Sequence, residues 1–91
     1  MCDISLDARL LSLDNFVKLL IRSENAYKTM KYNSNIASNR YDIMKYTAEA
    51  VQTAILITKI KRSINTLKIV IKTENIDWNE EEWNIRYNIS I

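Results

Sequence analysis

Glycine and proline are both absent from these 91 residues. The favoured two-residue hairpin turns, which rely on positive φ, are therefore strained in this chain. Glycine-rich backbone nests that cradle phosphates are ruled out for the same reason. Histidine is missing too. With it go the commonest general base near neutral pH and the commonest metal ligand. Such a chain reads as a non-enzymatic protein that works by contact, with no cofactor and no metal.

Ninety-one residues make one domain, 1–91, which buries about 60–65% of its unfolded surface. Sharing a core with a second copy would add stability, so the expected state is a homodimer. Apolar residues are 47% and charged residues 26%, an ordinary balance for a folded chain. The lone cysteine, Cys2, permits no intrachain disulfide and reads as an incidental thiol. MCDISLDARL has no basic leader region, and no apolar run is long enough for a membrane span. The expected location is cytoplasmic. Ile, Asn, Lys and Tyr supply 37 of the 91 residues, and all four use A/T-rich codons. That bias points to an AT-rich genome, such as that of a virus or mobile element, and then to the host-cell cytoplasm.

The net charge of +2 hides a division. Residues 1–17 carry −2, residues 18–72 carry +8, and residues 73–91 carry −4. The acidic ends either screen the basic body or leave it free for an anionic partner.

Leu6, Leu10, Leu13, Val17, Leu20 and Tyr27 keep a helical stripe, predicting a helix over 5–31. Phe16 and Ile21 widen that stripe. Residues 33–38 read as a polar loop, with Ser38 or Asn39 capping the next helix. Ile43, Tyr46, Ala50, Thr53, Ile57, Ile60 and Ile64 predict that second helix over 39–65. The two form an antiparallel helical hairpin. Further on the period changes. Trp83, Ile85, Tyr87, Ile89 and Ile91 alternate with polar residues, and so do Leu67, Ile69 and Ile71 with Lys68, Val70 and Lys72. Period-two spacing predicts strands at 66–72 and 83–91, hence an α+β fold with a C-terminal β-hairpin. Its open edge would pair with a second copy or with a partner's sheet. The alternative is an all-α, three-helix protein with a coiled-coil-like dimer seam. Asp77-Trp-Asn-Glu80 fits a capping box and supports that alternative.

Three charged groups are candidate contact sites. Around the hairpin tip, Lys28, Lys31, Arg40 and Lys45 are interleaved with Tyr32 and Tyr41, a pattern suited to nucleic acid or another anion. The plainer reading is solvated lysines beside core tyrosines. Lys59, Lys61, Arg62, Lys68 and Lys72 form a second basic set, either a complement for acids of a neighbouring copy or a solvated face. Asp77, Trp78, Glu80, Glu81 and Glu82 form an acidic segment with an aromatic anchor, suited to a basic protein partner. Against that stands simple packing of the tryptophans on the helices. The function these features suggest is binding and modulation of a macromolecular partner, as a viral or mobile-element accessory or inhibitor protein acting on a host factor. A nucleic-acid-binding protein using the basic 18–72 body is the alternative. A structural subunit of a larger assembly is a third.

Overall fold

The computed structural model describes the backbone of residues 2–87 and the side chains of residues 6–87. Among the described residues there are three helices and no strand: α1 (Cys2–Ile36), α2 (Arg40–Glu74) and α3 (Glu80–Tyr87). The first two helices are 35 residues each, about 52 Å long at 1.5 Å per residue. They lie antiparallel and give a rod of 58 × 19 × 16 Å. Its radius of gyration is 17.1 Å, against about 12 Å for a compact domain of this length. No helix among the described residues is long and apolar enough to cross a membrane.

The α+β expectation is overturned, and the all-α alternative fits. Residues 66–72, read as a strand, continue α2 without a break, and 83–87 belong to α3. The remaining positions of the second strand, 88–91, lie outside the described residues, as does the side chain of Cys2. With the strands goes the β-hairpin and the edge-pairing route to a partner. Side-chain environments explain the error. Ile64, Lys68 and Ile71 are buried at helical spacing, while Ile69, in the middle of the supposed alternation, is exposed. In α3, Trp83 is buried and Tyr87 partly buried one turn apart, while Ile85 between them points away.

Helix boundaries also shift. Asn33, Ser34 and Asn35 fall inside α1, leaving a three-residue connection at 37–39. Asn39 caps α2, as expected for that position: its side-chain oxygen accepts the Asp42 backbone N–H at 2.8 Å. Its amide donates to the Asp42 carboxylate at 2.7 Å, so the cap is reciprocal. α3 is capped by Asn79 rather than Asp77, since the Asn79 side chain accepts from the Glu82 backbone N–H at 3.0 Å. Glu80, Glu81 and Glu82 fill its first turn, where the helix dipole favours negative charge.

Three contacts set the register of the long pair. The Arg9 guanidinium donates two bonds, 2.9 and 2.8 Å, to the Glu74 carboxylate. The Thr53 hydroxyl lies 3.2 Å from the Met30 sulfur, and the Ser34 and Thr47 hydroxyls are 2.9 Å apart. The stripes predicted for both helices meet along this seam. Leu13, Val17, Leu20, Ile60, Ile64 and Ile71 are buried there, and burying each such side chain stabilises by about 1.5–3 kcal/mol. Ile43 and Ile21 are exceptions and remain exposed.

Candidate interaction surfaces

α3 folds back over the open end of the hairpin. Lys72 Nζ lies 2.9 Å from a Glu80 oxygen, and Lys68 Nζ donates to Asn84 Oδ1 at 2.6 Å. The Tyr87 hydroxyl donates to Asp14 Oδ1 at 2.6 Å. The first two contacts step back along α2 as α3 advances, and the third lies on α1, so α3 runs along the rod axis toward the tip. Trp83 is 7% exposed and packs beneath Lys68, whose ammonium sits 4.8 Å from the ring centroid. Trp78, Trp83 and Tyr87 form an aromatic row with centroid spacings of 6.4 and 4.7 Å.

Burial disfavours the Lys68 ammonium and lowers its pKa; Lys72 adds to this, and Glu80 opposes it. The Tyr87 hydroxyl bond is the leading cause that holds the Asp14 carboxyl below its ordinary value, helped by Lys18. The same bond pushes the Tyr87 phenol upward.

The acidic candidates divide. Trp78 is half-buried against the core cluster, and Glu80 is tied to Lys72. Asp77, Glu81 and Glu82 are exposed. Glu81 and Ile85 form the outer face of α3, opposite Trp83 and Tyr87, with Ile85 80% exposed, and Glu82 stands at its edge beside Arg86.

The basic candidates at the tip are all exposed: Lys28, Lys31, Arg40 and Lys45, with Tyr32 at 63% and Tyr41 at 75%. None of the four cations makes an ion pair among the described residues. They do not share one face. Lys31 lines a groove between α1 and α2 with Tyr27, Ala50, Val51, Ala54 and Ile55, and Lys28 lines its continuation beside Glu24 and Ile57. Tyr41 and Lys45, one turn apart on α2, are not among the residues that line the groove. Lys45 instead sits 5.8 Å from the Tyr46 ring.

No linear pattern marks this groove, and its position is informative. On α1, steps of three and four residues lead from Leu10 and Asp14, beneath α3, through Val17 and Ile21 to Glu24, Lys28 and Lys31. On α2 the same steps lead from Lys68 through Ile64, Lys61 and Ile57 to Ala54, Ala50 and Thr47. One face of the hairpin therefore runs the length of the rod. α3 covers it at the open end, and the groove is an uncovered part of it toward the tip.

Folding also regroups the charge. The two acidic segments of sequence come together at the open end. The tip half, residues 22–61, holds seven bases and three acids, net +4, and the remainder holds six and eight, net −2. Among the described residues no cluster of three or more His, Cys, Asp or Glu side chains is placed to hold a metal ion. No known protein family, curated protein or solved structure matches this chain.

Proposed function

We propose that this is a non-catalytic interaction protein whose groove in the tip half receives an acidic, amphipathic helix from a macromolecular partner. One observation carries the reading. A single face of the hairpin is covered at the open end by such a helix, the eight-residue α3, and is open toward the tip. The covered part defines the kind of occupant the face accepts. α3 presents aromatic side chains inward and a carboxylate to a lysine at the rim. The open part offers the matching groups. Tyr27, Ala50, Ala54 and Val51 make an apolar floor with small residues that allow close approach. Lys28 and Lys31 stand at the edge, with no ion pair among the described residues. Helix-in-groove recognition uses this combination.

A titration at nanomolar protein tests the reading. The probe is a fluorescent helical peptide with glutamates on one face and aromatic and aliphatic residues on the other. Saturable binding is expected, lost on Ala54→Glu and absent for a lysine-for-glutamate version of the peptide. Binding of both peptides alike would overturn it. So would preferential, steeply salt-dependent binding to a single-stranded oligonucleotide lost on Lys28/Lys31/Arg40/Lys45→Ala, which would instead support the nucleic-acid alternative.

A further inference from the structure

We infer that the occupant of the open groove is the outer face of α3 from a second copy, in an antiparallel two-fold dimer where each chain fills the other's groove. This rests on the groove being a helix acceptor and names the helix. Charge is the first argument. Among the described residues, Glu81 on the outer face of α3 and Glu82 at its edge make no ion pair, and neither do Lys28 and Lys31 at the groove. Each set supplies the charge the other lacks. The net charges of the two halves, −2 and +4, attract in the antiparallel arrangement and repel in the parallel one.

Apolar surface is the second. Ile85 stands beside those carboxylates, 80% exposed, and Val51 and Ile55 are more than half exposed at the groove. Neither patch is covered by the described residues, and burying exposed apolar area is the most general driving force for association.

Position along the rod is the third. α3 lies level with residues 10–17 of α1, because Tyr87 bonds Asp14 and Leu10 lies beside Trp83. The groove lies level with residues 24–34 of α1. The two are about 15 residues, or about 22 Å, apart along the axis. A two-fold axis across the rod near Ile21 exchanges them. That point is close to the middle of α1, so the two rods overlap over most of their length and both grooves fill at once. The contact is self-complementary and closed, as an isologous interface must be. The product has three layers: a hairpin, a middle layer holding both copies of α3, and a second hairpin.

Sedimentation equilibrium of the full chain tests this. The native protein is expected at twice its 10.7 kDa mass, with an association that weakens as salt rises. Lys28→Glu/Lys31→Glu and, separately, Glu81→Lys/Glu82→Lys are expected to weaken self-association by on the order of tenfold or more. Mixing these two variants should restore a dimer, since one interface is then native and the other has both signs reversed. Ile85→Arg changes a side chain on the outer face and should give a monomer with unchanged helical circular dichroism. A native chain that stays monomeric into the millimolar range overturns the inference. So does a dimer indifferent to all three variants, or two charge variants that fail to pair. The peptide titration separates the two claims: a monomer that still binds the acidic peptide keeps the groove as an acceptor and rejects only the second copy.

Discussion

The open end and the tip of the rod are made of the same two helices, yet they are built differently. At the open end three helices meet over Leu13, Val17, Ile64, Ile71 and Trp83, all nearly or fully buried. Toward the tip only two helices meet. Their seam is polar and small, with Ser23 and Ala50 buried and Ser34, Thr47 and Thr53 bonded across or along it. The difference shows that a two-helix layer cannot bury a full apolar stripe on each helix. A third element is needed, and among the described residues only one end has it. The end with an internal third helix is expected to carry stability, and the other end is left to make contacts. Local opening should follow the same division, with amides near the tip exchanging faster than those of residues 10–20 and 60–71.

The comparison breaks most visibly at Trp83. Trp83→Ala should cost about 3–5 kcal/mol in chemical denaturation, because it removes the anchor of α3 and uncovers the core beneath. A loss below about 1 kcal/mol would mean that α3 is not part of the stabilising core. Next comes a matched pair. Ile64→Ala should cost about 2–5 kcal/mol, and Met30→Ala, at the tip seam, less than half as much. Equal costs would erase the distinction between the two ends.

A smaller effect concerns pH. Asp14 is held below its ordinary pKa by the Tyr87 hydroxyl and Lys18, so the folded state binds its proton less readily than the unfolded state. Its contribution is present above the unfolded value of 3.8 and is lost as pH falls through the lower folded value. Tyr87 is shifted the other way, so its contribution is present below its unfolded value of 10.0 and is lost as pH rises through its raised value. Tyr87→Phe should therefore lower stability at neutral pH and flatten both limbs of the stability–pH curve. An unchanged acid limb would show that the bond does not persist in solution. Smallest of all, Ser34→Ala should change stability by no more than about 0.5 kcal/mol, since the exposed hydroxyl pair at the tip exchanges readily with water.

The helical hairpin was legible because a stripe at three- and four-residue spacing has one structural meaning when it is long. Leu6 to Tyr27 and Tyr46 to Ile64 face the seam as their spacing required. The C-terminal third was not legible, since short alternating runs satisfy either period. Leu67, Ile69 and Ile71 look like one face of a strand, but α2 has nothing to stop it before Asn75. Extending it keeps every backbone hydrogen bond within the helix and places Lys68 against Trp83 and Asn84. Of the candidate sites, charge and exposure could be guessed residue by residue, but their grouping could not. Lys31 and Lys45 flank the same connection in sequence and lie on different faces in space. The groove left no linear motif, because its floor joins Tyr27 to Ala50 and Ala54 across the hairpin.

Composition and periodicity alone determined that this chain pairs two amphipathic helices and holds no glycine, proline or histidine. Both are local properties, set by residue type and by spacing within one turn. Tertiary structure alone decided that α3 covers one face at the open end and leaves it open toward the tip. It also decided that acidic segments from the two ends of the sequence gather at one end of the rod, with the lysines of the groove toward the other. Those outcomes depend on which surfaces meet across the fold, and a buried contact between distant residues is selected by packing rather than encoded in any stretch of neighbours.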